Sequence, residues 1–193
     1  MRLHIGPIPD SPDFVPDGTW TVMREPSPWV MQLLALPFGV VLSIALAVLW
    51  FSLTPLGQAP PPSAGELFGV LIAMVPAHEA LHVAVHPRTG HSVLGFWPSR
   101  LLFYTHYHAE LRCQRFVAIL LAPLAVISLL PLVLCAASAT SSAAVGFASV
   151  SNALFASGDL FAAGLVAWQV PRTATLRNKG WRVYWRCDTQ HRS

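Results

Sequence analysis

Four long apolar runs, Trp29 to Leu53, Leu67 to Val85, Phe116 to Ala137 and Ala143 to Val170, constrain what this chain of 193 residues can become. Each is near or above the roughly 20 residues that a helix needs to cross the hydrocarbon of a bilayer. Hydrocarbon offers a backbone no water, so such runs must satisfy their own N–H and C=O groups as helix. Hydrophobic residues make up 54% of the chain and charged ones 11%, too little polar surface to cover a soluble domain of this length. The expected fold is all-α, a polytopic membrane protein with four transmembrane helices, and four crossings return both termini to one side.

The basic residues say which side. Arg2 and Arg24 precede the first run, Arg88, Arg100, Arg112 and Arg115 lie between the second and third, and Arg172, Arg177, Lys179, Arg182, Arg186 and Arg192 follow the fourth. Residues 54 to 66 and 138 to 142 carry no Lys or Arg. By the positive-inside rule both termini are expected in the cytoplasm of a multi-pass cell-membrane protein. The net charge of +3 thus reflects orientation more than a partner. The lipid bilayer is the expected partner of the tail, where Trp181, Tyr184 and Trp185 alternate with arginines, and no nucleic acid is expected, for want of a recognition module.

Three regions are expected: an extended cytoplasmic segment over 1–28, a four-span membrane domain over 29–170 and a basic cytoplasmic tail over 171–193. Pro7, Pro9, Pro12, Pro16, Pro26 and Pro28 keep the first from forming a regular helix, and its first apolar run starts too late for a secretory leader. The loop from Gln58 to Ala64 reads as a short external connection. Cys113, Cys135 and Cys187 form no C-x-x-C pair and are assigned to no metal.

Within the second run stands His78-Glu79-Ala80-Leu81-His82. On a helix the two imidazoles share one face, with Glu79 beside them where it can hold a water, the arrangement of a zinc hydrolase. Three ionisable side chains in a membrane helix are costly without a function. A hydrolytic zinc needs a third protein ligand and an open position. The metzincin spacing is excluded because its third histidine position is Arg88, and His86 lies about 12 Å along the axis from His78. The remaining suspects are His91, His106, His108, Glu110 and Asp159. Asp159 is the strongest, as the one acidic residue between Glu110 and Asp188, deep in the fourth run. Nine residues separate His78 from Pro87 and eleven separate Asp159 from Val170, which puts both about 13 to 17 Å below the same face. A protonated Asp159 satisfied by neighbouring helices is the competing reading. Asn152, two helical turns before Asp159, is placed to orient a ligand or to contact substrate or an oxyanion, and Gly158 could admit close approach or local unwinding.

His78 to His82, Gly95-Phe96, Leu121-Ala122-Pro123-Leu124, Asn152 and Gly158-Asp159-Leu160 together resemble the zincin-type peptidases of bacterial membranes, a family catalogued as a domain of unknown function. That family is similar in turn to the site-2 proteases. The resemblance implies His78, His82 and Asp159 as zinc ligands and Glu79 as general base. It departs around the aspartate, where Asn152 is followed by Ala153 and Asp159 by Leu160 rather than by the usual Pro and Gly.

Between the second and third runs, Leu101 to His108 is rich in aromatic residues, and a short β-hairpin there could accept an extended substrate by strand addition. The expected function is a zinc metallopeptidase acting on a membrane-protein or transmembrane-peptide substrate. The alternatives are a catalytically silent metal-binding protein that holds transmembrane segments and a metal transporter. The first and third runs are too apolar for the transporter, and a silent site has no use for Glu79.

Overall fold

The computed structural model describes residues 1–11, 13–54, 62–100, 102–138 and 142–187. Its helices follow the apolar runs. Helix α1 spans Pro28–Leu53, opening on a proline where the missing N–H costs no bond. Helix α2, Ala64–Val85, starts at a capping box in which Ser63 and Glu66 satisfy each other's backbone N–H groups. Helix α3, Cys113–Pro123, runs through a π-helical turn, Leu124–Leu129, into α4, Leu130–Ser138. Together these form one apolar stretch over Cys113–Ser138. Helices α5, Ala143–Phe155, and α6, Ser157–Gln169, meet at Ala156 with a bend of 48°. Three helices are thus long and apolar enough to cross a membrane, or four if the bent pair is one span. Residues 55–61, most of the expected external loop, lie outside the described residues.

Helix α1 packs on α5 and α6, α2 on α3 and α5, and α3 on α6. One glycine permits the close approach of α1 to the α5–α6 corner. A Cβ on Gly39 would stand 2.6 Å from that of Ser157, so α1 can press on the α5–α6 corner only because this residue has none. Gly146 lies under the indole of Trp50, which joins Leu46, Leu124, Leu132, Cys135, Ala153 and Ala156 in a buried core. The outward residues are apolar as well: Val41, Phe51 and Val133 are each more than 60% exposed. That surface is unsuited to water and compatible with a multi-pass membrane protein.

The chain is not all-α, however, because two sheets accompany the helices. The first holds β1, Arg2–Ile5, parallel to β3, Ser92–Trp97, which pairs antiparallel with β4, Leu102–Tyr107. The hairpin β3–β4 is the one expected between the second and third runs. The second sheet has the order β2-β7-β6-β5, with β2 at Thr21–Val22, β5 at Leu111–Arg112, β6 at Thr175–Lys179 and β7 at Arg182–Arg186. Short non-helical segments between spans have backbone groups to pair, and they pair with one another. The tail turns at Gly180, whose φ of +55° suits a two-residue hairpin loop. Leu176 and Val183 from this hairpin pack with Met23, Cys113, Val166, Val170 and Ala174, tying both ends of the chain to the ends of α3 and α6.

Candidate metal centre

His78 and His82 are buried on one face of α2, their ring centroids 5.0 Å apart. The tautomer of each ring follows from what its Nδ1 meets. His82 Nδ1 lies 2.8 Å from the carbonyl oxygen of Ile119. A carbonyl has no hydrogen to give, so Nδ1 donates, and in the neutral ring Nε2 keeps its lone pair. His78 Nδ1 lies 2.9 Å from Oδ1 of Asn152, and the orientation of that amide is fixed from its other end. There Nδ2 stands 3.0 Å from the Pro123 carbonyl and 2.9 Å from Ser128 Oγ, whose single hydrogen already goes to the Ser149 carbonyl. Both neighbours are acceptors, so the NH2 group must face them and Oδ1 must accept from His78. Ser149 Oγ donates to the Ser128 carbonyl at 2.9 Å and accepts from Trp50 Nε1 at 2.9 Å. With Ser128, Ser149 and Asn152 each fully buried, a satisfied polar chain crosses the apolar interior from α1 to His78.

Both Nε2 atoms face Asp159. Its Oδ2 lies 3.0 Å from that of His78 and 3.4 Å from that of His82. With both rings neutral, three lone-pair atoms converge here, an arrangement that repels itself unless a proton or a metal cation sits in its midst. Ligand atoms around a tetrahedral zinc stand about 3.3–3.5 Å apart, so the 3.4 Å separation matches, the 3.0 Å one is a few tenths of an ångström short, and the residues present could hold zinc after a small adjustment. Glu79 also brings a carboxylate oxygen within 4.8 Å of the histidine ligand atoms. Its Oε2, however, accepts a hydrogen bond from Thr105 Oγ1 at 2.7 Å, which ties it to β4. Asp159 thus meets the two Nε2 atoms directly while Glu79 flanks them.

The other acidic and histidine candidates are engaged elsewhere. Glu110 pairs with Arg186 at 3.1 Å. Because Thr105 points at Glu79, its neighbour His106 points to the opposite face of β4, where it and His108 meet Ser11 Oγ. His86 bonds Ser92 Oγ at 2.8 Å, and His91 contributes no ligand atom to the described group. A Cβ at Gly158 would make only ordinary contact with Gln32, and the helix breaks two residues earlier, at Ala156. Thr105, Ser128, Ser149 and the Ile119 carbonyl were absent from the residues singled out in the sequence. The two serines stand out there only as polar residues in apolar spans, and the threonine and the carbonyl leave no mark.

No curated protein and no solved structure matches the chain. A family model, DUF3267, described as "Putative zincin peptidase", matches residues 71–175, just over half of the sequence. The matched stretch contains His78, Glu79, His82, Asn152 and Asp159 together with the backbone acceptors that orient them, and the chain belongs to this zincin peptidase family.

Proposed function

We propose that the chain is a zinc-dependent, membrane-embedded metallopeptidase that cleaves a peptide bond within or next to the membrane, near its cytoplasmic face. The observation that carries this reading is the convergence of His78 Nε2, His82 Nε2 and Asp159 Oδ2, each imidazole holding its hydrogen on the far nitrogen. Zinc held by these three residues would supply the Lewis acidity that activates water and polarises a peptide carbonyl. Glu79 takes the proton from the attacking water and returns it to the leaving amine, while Thr105 keeps the carboxylate aimed beside the histidines. Asn152 spends both N–H groups on Pro123 and Ser128, so its part is to hold His78 rather than to bind an oxyanion.

Four spans with both termini on one side are supported by the second sheet. It gathers a strand from before α1, one from between α2 and α3, and two from after α6, so an even number of crossings separates each group. The Lys and Arg residues sit in these same segments, which supports a cytoplasmic end in the cell membrane. The substrate is a membrane protein or transmembrane peptide. Among the described residues β4 pairs as a strand only with β3 and carries Thr105, so a substrate segment unwound onto its other edge would lie next to Glu79.

The test is Glu79→Gln in the full-length protein, which keeps the shape of the side chain and removes the base. Zinc content and thermal stability should hold while turnover falls at least 10² to 10⁴-fold, about 3 to 5 kcal/mol of barrier. Wild-type function in Glu79→Gln alongside loss of function in His78→Ala would leave the metal with a structural role only.

A further inference from the structure

Pro123 lies inside the Cys113–Ser138 stretch, at the junction of α3 with the π-helical turn. A proline nitrogen carries no hydrogen, so the carbonyl four residues earlier loses its helical donor. Here that carbonyl belongs to Ile119, and it is the atom that accepts the hydrogen of His82 Nδ1 at 2.8 Å. The exchange serves both partners, since an orphaned carbonyl in an apolar interior and an unpaired imidazole N–H are each expensive. Pro123 also offers its own carbonyl to the Asn152 amide at 3.0 Å, and Asn152 in turn holds His78. The spacing matches across the interface. Ile119 and Pro123 are four residues apart on α3, as His82 and His78 are on α2, so one helical turn of acceptors serves one turn of ligands.

We infer that Pro123 is the positioning residue of the metal pair: by withholding one backbone N–H it frees the Ile119 carbonyl to fix His82, and through Asn152 its own carbonyl fixes His78. This rests on the proposed zinc site and adds to it a reason for a proline at that place. An ordinary residue at 123 would send its N–H to Ile119 O as well, and His82 Nδ1 would have to share the acceptor with a helical donor. The ring would then be held less firmly on its Nδ1 side, and with it the Nε2 that a metal needs bare.

The experiment compares full-length protein with Pro123→Ala, with the α-hydroxy analogue of alanine placed at 123 by nonsense suppression, and with Pro131→Ala as a control in the same span. Zinc affinity is measured by competition with a chromophoric chelator, and ligand geometry by the visible absorption of the cobalt-loaded protein. Pro123→Ala should bind zinc 10 to 100-fold more weakly, with an altered cobalt spectrum. Its metal-free melting temperature should be unchanged or higher, because alanine is the better helix former. The α-hydroxy analogue also lacks the N–H and should bind as wild type does, as should Pro131→Ala. Wild-type affinity in a folded Pro123→Ala would overturn the inference, and so would equal weakening by the α-hydroxy analogue, which would assign the effect to the ring. If Pro123→Ala does not fold, the α-hydroxy analogue of Leu120, which turns the Ile119 carbonyl into a weaker ester acceptor, takes its place: it should weaken zinc binding, and wild-type affinity there would overturn the inference. Failure of wild-type protein to bind zinc at all would instead count against the proposed function.

Discussion

Among the described residues two histidine pairs lie close together, and they differ in whether their geometry could hold a cation. His78 and His82 have ring centroids 5.0 Å apart and His106 and His108 have theirs 4.5 Å apart, so proximity does not separate them. The direction of their hydrogens does. In the first pair both Nδ1–H groups point away to acceptors, which leaves the two Nε2 atoms, bare in the neutral rings, facing a carboxylate. In the second, Ser11 Oγ gives its hydrogen to the Asn178 carbonyl, so His106 Nε2 at 3.4 Å and His108 Nδ1 at 3.1 Å must each donate to that oxygen. Donors converge there, and a metal would meet hydrogens instead of lone pairs. Burial, with His108 and His86 nearby, pushes His106 down to about 4, so this latch between the N-terminal segment, β4 and β6 is neutral at physiological pH.

The largest expected effect breaks this contrast directly. On the proposed ligand set, purified protein should hold about one zinc per chain, and His78→Ala, His82→Ala and Asp159→Ala should each lose it on dialysis against a mild chelator, since each removes one of the three proposed ligands. His106→Ala and His108→Ala should keep it. Equal zinc loss in His106→Ala and His82→Ala, read by elemental analysis of folded protein, would erase the distinction between the pairs.

A smaller effect separates the members of the polar chain behind His78. Asn152→Ala leaves Nδ1–H of His78 without its acceptor and should weaken zinc binding 10 to 100-fold. Ser128→Ala removes one of two anchors of the Asn152 amide and leaves the Pro123 carbonyl in place, so its loss should stay below about tenfold. The reverse order would mean that the serine pair, rather than the amide, governs His78.

The parts legible in the sequence are those with strong local signals. The helices follow runs that hydrocarbon would force into helix, and the shared face of His78 and His82 follows from a spacing of four residues. The meeting of Asp159 with both Nε2 atoms was reachable from residue counts, because depth in a membrane is nearly linear in helix position. The terminal strands were not legible: Arg2–Ile5 and Thr21–Val22 are too short and irregular to announce strands, and their partners lie about ninety to one hundred and sixty residues away. The Gly180 turn was a readable hairpin signal, but arginines around Trp181, Tyr184 and Trp185 suggest a membrane surface equally well. Backbone acceptors such as Ile119 O carry no residue identity at all. They become visible only as a consequence of the proline four positions later.

The smallest effect concerns the second sheet, the cap that ties the chain ends to α3 and α6, and sharpens the contrast from its other side. Glu25, just before α1, accepts the Val183 N–H at 2.8 Å; burial raises its carboxyl from 4.5 to about 7, against the pull of that hydrogen bond and of Arg182. The folded cap therefore binds this proton more tightly than the unfolded chain does. Between pH 4.5 and 7 the native state carries the excess proton, so this contribution to stability is fully present below 4.5 and declines as pH rises through about 7. Glu25→Gln keeps an oxygen for Val183 and has no charge to bury. Its melting temperature in detergent should vary less with pH over that window, and at pH 8 it should exceed wild type by roughly 1 to 2 kcal/mol of stability. Zinc affinity should not change, because the cap holds the chain ends while the α2–α3–α5 interface holds the histidines. Parallel pH–stability curves for Glu25→Gln and wild type would remove Glu25 as the cause, and a shift in zinc affinity would show that cap and metal centre are coupled.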